Sequence, residues 1–122
     1  FKPPYSRITA IDMNTGEHLW WKPAGYTPDR IKNLPALAGV EIGNTGSGAV
    51  GQLLVTDSLL IYSNITGDGA PHLFALDKQT GEELARVPVA AASRYGMSSW
   101  VHDGKQYLIL QTGSTLTALT LP

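Results

Sequence analysis

Residues 9–20 read TAIDMNTGEHLW, and residues 74–85 read FALDKQTGEELA. Aligned on Asp12 and Asp77, both stretches fit the phrase A-[IL]-D-x-x-T-G-E-x-L. A weaker echo, LTALT, occupies residues 116–120. An internal repeat is stronger evidence for the architecture than any single residue, because each repeated unit needs a neighbouring unit to cover its apolar face. We therefore expect a repetitive β-protein, whose function belongs to the whole array of repeats.

Each copy of the phrase predicts a β-hairpin. The short apolar runs before Asp12 and Asp77 suit strands, and the aspartate side chain can accept hydrogen bonds from backbone N–H groups just downstream, which forms a turn. Gly16 and Gly81 supply positive φ without steric cost. The polar and apolar alternation that follows predicts a second strand, so the loop between the strands has four or five residues. Because this context is repeated, we interpret both aspartates as turn-formers and not as acid–base groups.

Composition excludes several classes of protein. The chain has 122 residues, 9 basic and 10 acidic side chains, and a formal net charge of −1, so no nucleic-acid partner is expected. No apolar run approaches the length of a membrane span. The absence of cysteine excludes disulfides and thiolate metal sites in this sequence. Since Phe1 is not an initiator Met and no signal peptide is visible, we expect the numbering to start inside a longer gene product.

The remaining pattern predicts an all-β fold of antiparallel four-stranded blades, a partial β-propeller of about two to two and a half blades. The strands are predicted at 52–56, 59–64, 97–102, 106–112 and 116–121, with hairpins over 7–22 and 72–89. Thr27 is predicted to cap a short helix with Pro28 at its first position. The predicted division is an outer hairpin of a preceding blade at 1–22, an inter-blade loop at 23–48, a complete blade at 49–89 and a partial closing blade at 90–122.

Three further features are open to a functional interpretation. His18, His72 and His102 lack ligand spacing, so we expect surface or turn histidines and no metal site. The glycine-rich residues 43–48 lack the ending of a phosphate loop, and a flexible connection is one interpretation of them. Asn64 and Asp68 lie at a strand end and in the next loop, where propeller function usually resides, although a turn role is the alternative for each.

The repeat phrase, together with residues 2–12 (KPPYSRITAID), 27–33 (TPDRIKN), 35–37 (PAL), 53–56 (LLVT) and 103–107 (DGKQY), resembles the pyrroloquinoline quinone (PQQ) dependent dehydrogenases, and their glucose dehydrogenase branch in particular. The resemblance covers almost the whole chain and implies the C-terminal blades of an eight-bladed propeller. Trp20 resembles the family's docking tryptophan, which packs between blades. Its counterpart in the second copy is Ala85, so that seam must be filled differently.

The resemblance also implies an activity. Family members are periplasmic quinoprotein oxidoreductases that hold PQQ above a calcium ion in the central channel, oxidise a sugar or alcohol, and pass the electrons to a quinone or cytochrome. Some are held at the membrane through parts outside this region. The catalytic aspartate and the metal ligands lie in earlier blades, so no catalytic residue and no metal ligand is expected here. This piece is therefore not expected to be catalytic or to bind the cofactor alone.

The cofactor-binding candidates that the resemblance implies are Gly48, Asn64 and Asp68. For residues 43–48 the resemblance implies a segment that approaches the central channel, where small residues admit the cofactor, as the alternative to a flexible connection. Two departures from the family pattern bear on these candidates. Residues 48–51 read GAVG where many members carry an aromatic that stacks on the cofactor, and residues 111–114 read QTGS where the membrane glucose dehydrogenases carry Gly-Gly-His.

An alternative to the enzyme is a noncatalytic propeller of the same repeat that acts as a protein-interaction scaffold. On either interpretation the partners are the remaining blades, and incomplete blades leave open strand edges. We therefore also expect the isolated chain to self-associate along those edges.

Overall fold

A computed structural model describes residues 2–120 of the chain. Almost every regular element is a strand, and the two helices are short. In chain order the elements are β1 Arg7–Ile11, β2 His18–Pro23, α1 Asp29–Lys32, a 3-10 turn Pro35–Leu37, β3 Leu53–Val55, β4 Leu59–Ile65, β5 Pro71–Asp77, β6 Glu83–Pro88, β7 Met97–His102, β8 Lys105–Thr112 and β9 Thr115–Thr120. No helix within the described residues is long and apolar enough to cross a bilayer.

The strands form three antiparallel sheets, which we call the first (β1-β2), second (β3-β4-β5-β6) and third (β7-β8-β9) sheets. The predicted all-β class with partial propeller blades is confirmed, and so is the strand count of two, four and three. The strand boundaries differ from the predicted ones by at most one residue at either end. Leu121, predicted to end the last strand, lies outside the described residues.

The repeated phrase forms the turn that its sequence predicts. Asp12 Oδ1 accepts hydrogen bonds from the N–H groups of Asn14 (2.7 Å) and Thr15 (3.2 Å). Asp77 Oδ1 accepts the equivalent bonds from Gln79 (2.9 Å) and Thr80 (2.8 Å). Both turns are closed by a backbone bond from the aspartate N–H to a glutamate carbonyl five residues on. The interpretation of both aspartates as turn-formers is confirmed.

The Asp77 turn makes stability depend on pH. Hydrogen bonds from the Thr80 backbone and side chain, and from the Gln79 backbone, lower the pKa of the Asp77 carboxyl below its ordinary value. A depressed folded-state pKa stabilises the fold above the unfolded-state pKa, and this stabilisation is lost as pH falls through the folded-state pKa. We expect the melting temperature of the wild type to fall more steeply than that of Asp77→Asn below about pH 4. Parallel melting curves from pH 6 to pH 2.5 would contradict this.

The core consists of two layers on either side of β4. Leu60 and Tyr62 point to one face and pack with Phe74 and Leu76 against the first sheet, whereas Ile61 points to the other face, against the third sheet. Residues 60–64 are all buried, because both faces of this strand are covered. The three sheets therefore stack face to face with the second in the middle.

The first and second sheets meet at a seam fixed by directional bonds, which we call the first seam. The indole N–H of Trp20 donates to the carbonyl of Lys78 (3.0 Å), and the ring lies against Gly81, where a Cβ would lie 2.6 Å from Cε3. Tyr26 donates to Glu83 Oε2 (3.1 Å), while Arg86 pairs with Glu83 and stacks over the Tyr26 ring. The predicted packing role of Trp20 is confirmed.

The seam between the second and third sheets, which we call the second seam, is apolar and less filled. Ile61, Leu73, Leu108 and Leu110 form its buried core. Beside Ala85, which occupies the position of Trp20 in the repeat, lies an apolar cavity of about 140 Å³. The expectation that this seam is filled differently is confirmed, because aliphatic side chains and not an indole fill it, although a cavity remains beside Ala85.

The helix prediction is right in position and wrong in its cap. Helix α1 begins at Asp29, Pro28 is its N-cap, and the cap makes no side-chain hydrogen bond. The Thr27 side chain is turned away from the helix and is 1% exposed. Its Oγ1 donates to the Gly43 carbonyl (3.2 Å) and accepts from the Thr45 N–H (2.8 Å). The Thr27 hydroxyl therefore does not cap the helix, because it is hydrogen-bonded to Gly43 and Thr45, which are distant in the sequence.

Candidate functional site

Three connections meet at one end of the sheets, and we call this end the loop face. They are residues 24–52 between β2 and β3, residues 66–70 between β4 and β5, and residues 89–96 between β6 and β7. Backbone hydrogen bonds join them to one another or to strand ends: Tyr26 N–H to Ile65 O (3.3 Å), Asp29 N–H to Gly67 O (2.7 Å) and Val89 N–H to Pro71 O (3.1 Å). Loops held by a rigid sheet are the usual place for binding residues. All three predicted cofactor residues lie here.

Asn64 is buried at the end of β4 with 1% of its surface exposed. Its Oδ1 accepts hydrogen bonds from Ser47 Oγ (2.6 Å) and from the Ile65 N–H (2.8 Å). The amide lies between two glycines: a Cβ on Gly25 would overlap Oδ1, and a Cβ on Gly51 would lie 3.3 Å from Nδ2. Asn64 therefore joins both ends of the 24–52 connection to the second sheet.

Gly48 is exposed and has φ +72°. Its N–H donates to Ser6 Oγ (3.2 Å), and a Cβ at this position would meet only Tyr5 Cβ, at 3.9 Å. The segment before it is bonded to its surroundings, with the Tyr5 N–H donating to the Thr45 carbonyl (2.8 Å) and the Ser47 N–H to the Ala24 carbonyl (2.9 Å). The backbone at Gly48 is therefore accessible to solvent, while the segment that precedes it is held in place by hydrogen bonds.

Asp68 is exposed in the β4–β5 loop. Its Oδ1 accepts hydrogen bonds from Thr66 Oγ1 (2.6 Å) and from the Ala70 N–H (3.1 Å). These bonds, the Thr66 hydroxyl first, lower the pKa of the Asp68 carboxyl below its ordinary value. The carboxylate is therefore anionic at neutral pH and stabilises its own loop, while its second oxygen faces solvent.

The structure brings the three candidates near Ser47, which sequence reasoning did not select. Ser47 precedes Gly48 and donates to Asn64. It also lines a cleft of about 440 Å³ together with Asp68, which we call the Asp68 cleft. The other lining residues are Pro28, Asp29, Arg30, Ile65, Gly67 and Gly69. A serine in a glycine-rich run carries no sequence signal for this role, because its partner Asn64 lies on another element.

The histidines are dispersed. His18 lies on β2, His72 on β5 and His102 on β7. His72 Nδ1 lies 3.1 Å from the Ala70 carbonyl, and His102 Nε2 lies 3.4 Å from an oxygen of Asp103. In residues 2–120 no group of three or more His, Cys, Asp or Glu side chains is placed to hold a metal ion.

The Asn64 geometry gives a stability prediction. Asn64→Ala removes the acceptor for Ser47 and for the Ile65 N–H, and a buried donor left without a partner costs about 1–3 kcal/mol. We expect the urea midpoint of the full-length protein to fall accordingly, whereas Asn14→Ala, at an exposed turn position, should leave it unchanged. If Asn64 acts only through a cofactor, the variant will keep its stability without cofactor and lose affinity for the cofactor.

Comparison with known proteins identifies the family. Three stacked antiparallel sheets, two of which contain the same repeated turn, define part of a β-propeller. The model of the family "Glucose/ethanol/alcohol dehydrogenase, beta-propeller domain", labelled PQQ, matches residues 1–108. The chain belongs to this family, and the resemblance to PQQ-dependent dehydrogenases is confirmed. The place of the chain within the propeller and the number of blades stay predictions.

Among curated relatives, the chain is 31% identical over 118 residues to a probable quinate dehydrogenase (quinone) of Xanthomonas campestris pv. juglandis. It is 30% identical over 117 residues to a quinate/shikimate dehydrogenase (quinone) of Acinetobacter baylyi, and 26% over 112 residues to quinoprotein glucose dehydrogenase A of Acinetobacter calcoaceticus. The matches cover 91%, 92% and 92% of this chain. The chain spans only 14%, 14% and 13% of the length of these relatives.

Proposed function

We propose that this chain is part of the propeller of a PQQ-dependent dehydrogenase that oxidises a sugar or alcohol hydroxyl and passes the electrons to a quinone or cytochrome. The observation that carries the proposal is the match across nine-tenths of the chain to relatives whose names specify quinone-linked or quinoprotein dehydrogenases. We further propose a periplasmic location and a calcium ion held by residues of other blades.

PQQ, when bound, accepts the two electrons released as the hydroxyl-bearing carbon becomes a carbonyl. The part assigned to this chain is to shape one wall of the chamber. Gly48 fits the approach of a flat cofactor, because nothing but Tyr5 Cβ lies near the position of its missing Cβ. Asn64 is buried and its oxygen accepts two hydrogen bonds from its surroundings, which supports a structural role in this wall. Asn64 is therefore proposed as a positioning residue, which holds the segment that carries Gly48.

The experiment is reconstitution of the full-length protein with PQQ and calcium, followed by dye reduction with quinate, shikimate, glucose and glycerol. PQQ-dependent turnover of any of them supports the proposal. A folded protein that neither binds PQQ nor turns over any substrate would favour the noncatalytic scaffold.

Two matched variants test the contribution of Gly48. Gly48→Ala and Gly39→Ala both place a methyl group at positive φ, in the same connection. Only the Gly48 variant is expected to weaken PQQ binding, as measured by fluorescence titration. Equal PQQ affinities in the two variants would exclude Gly48 as a contact.

We also propose that the isolated chain self-associates through the open edges of β1 and β9, because an unpaired strand edge templates pairing with another chain. Sedimentation velocity over a concentration series tests this, and a monomer at the highest concentration would contradict it.

A further inference from the structure

A second cleft on the loop face lies between the second and third sheets, and we call it the Arg94 cleft. It has a volume of about 530 Å³, which lies within the range of small-molecule sites. The 89–96 connection, the start of β5 and the β8–β9 turn surround it. The connection leads into β7, which contacts β3, so the first strands of the second and third sheets lie side by side.

The segment that carries Arg94 is fixed to the second sheet. The Ser93 N–H donates to Ser63 Oγ (2.7 Å), and both serines are fully buried. The Ser93 hydroxyl donates to the Gly96 carbonyl (3.1 Å), and Gln52 Nε2 donates to the Arg94 carbonyl (2.9 Å). With its backbone held on both sides, the segment presents the side chains of Arg94 and Tyr95 from a defined position.

Arg94 carries the only charge among the described residues that line this cleft. Its side chain makes no ion pair with another described residue, and the residue is exposed. The Asp68 cleft differs, because Asp29 and Asp68 line it together with Arg30. The Arg94 cleft is therefore the one of the two that favours an anion. A guanidinium recognises a carboxylate by paired, charge-assisted hydrogen bonds.

The rest of the lining suits a ligand with a carbon skeleton and hydroxyl groups. Ile65 and Pro71 supply an apolar wall, and Tyr95, 75% exposed, adds an aromatic face and a hydroxyl. Gln111 Nε2 donates to the Gly113 carbonyl (2.9 Å), which orients the amide. Within residues 2–120 no donor reaches the Gln111 amide oxygen, so that oxygen can accept a hydrogen bond from a ligand hydroxyl.

We propose that Arg94 is a specificity-determining residue that binds the carboxylate of a hydroxylated acid substrate in this cleft, with Gln111 accepting a substrate hydroxyl. The inference rests on the proposed dehydrogenase function and narrows its substrates to hydroxy acids of the kind represented by quinate. The two relatives named for quinate, at 31% and 30% identity, suit it.

The test uses the full-length protein with PQQ and calcium. Arg94→Gln should raise KM for quinate about 10- to 100-fold, the loss expected for a charged hydrogen-bonded contact, with kcat little changed. Arg94→Lys should restore part of the affinity, because it keeps the charge but not the fork of donors. The control is Lys105→Gln, which removes an exposed cation at the start of β8, at the end of the sheet away from the loop face, and should leave KM unchanged. KM for glycerol should be unaffected in every variant.

Two further measurements separate this inference from the proposed function. Calorimetric titration of the full-length protein with quinate, and with its uncharged methyl ester, reports binding without turnover. Quinate binding that is weakened by Arg94→Gln supports the site even in a protein that fails to turn over. No quinate binding to the wild type, or an equal effect on quinate and its ester, overturns it. A loss of PQQ affinity in Arg94→Gln, with all substrates affected alike, would assign Arg94 to the cofactor and also overturn it.

Discussion

Gly81→Ala is expected to destabilise the protein by about 2–5 kcal/mol, against about 1–2 kcal/mol for Gly16→Ala. The two glycines occupy the same position of the repeat and have nearly the same φ, +74° and +75°. The backbone cost of a side chain is therefore equal at both. Only Gly81 faces Trp20, where the added methyl group would lie 2.6 Å from the ring, whereas a Cβ at Gly16 meets nothing within 4 Å. The difference between the variants isolates the packing of the first seam.

Urea denaturation of the two variants, with and without Trp20→Ala, completes the experiment. With the indole gone, Gly81→Ala should cost no more than Gly16→Ala, because the clash has been removed. Equal costs at the two glycines in the wild-type background would show that Trp20 does not press on Gly81.

Phe74→Ala is expected to lower the free energy of unfolding by about 3–5 kcal/mol, the usual range for truncating a buried aromatic. Phe74 is 0% exposed, and its ring stacks on Tyr62 with centroids 4.8 Å apart. It lies in the layer that joins the first hairpin to the second sheet. Phe74→Leu, which keeps most of the volume, should cost less. Similar losses for the two variants would mean that packing volume does not set the stability here.

A second readout follows from the environment of Tyr62. Burial raises the pKa of the Tyr62 hydroxyl to about 12, and a hydrogen bond with the Gly25 backbone opposes this shift. A void beside the ring admits water, so Phe74→Ala should lower the pKa of Tyr62 toward its ordinary value. Ultraviolet titration of the tyrosinate band measures the change, and an unchanged alkaline titration would show that the cavity stays dry.

The fold could be predicted because its information is local. Asp12 and Asp77 are each followed by the residues that form the turn, so each hairpin is encoded within about a dozen positions. The helix cap was predicted wrongly for the opposite reason: the Thr27 hydroxyl has closer partners at Gly43 and Thr45, on a segment whose approach no local pattern indicates.

The candidate site was predicted less completely than the fold. The three predicted residues, Gly48, Asn64 and Asp68, all lie at the loop face, and their contact with a cofactor stays a prediction. The sequence gives no sign that Asn64 is enclosed by Gly25 and Gly51, since this enclosure depends on how a long connection returns to the sheet. Nor does it distinguish Arg94 from the other arginines. What sets Arg94 apart is a lining without carboxylates, which is a property of the cleft.

The unequal filling of the two seams has a mechanical consequence. Hydrogen bonds from Trp20 and Tyr26 have direction and resist sliding of the first sheet over the second. Apolar contact is non-directional, so the second seam tolerates small shear. The bond between Ser93 and Ser63 fixes that seam at the loop face, while the cavity beside Ala85 leaves room inside the seam for side chains to shift. We therefore expect strain from neighbouring blades to be absorbed by small movements of the third sheet against the second, with the segment that carries Arg94 held in place by its bond to Ser63.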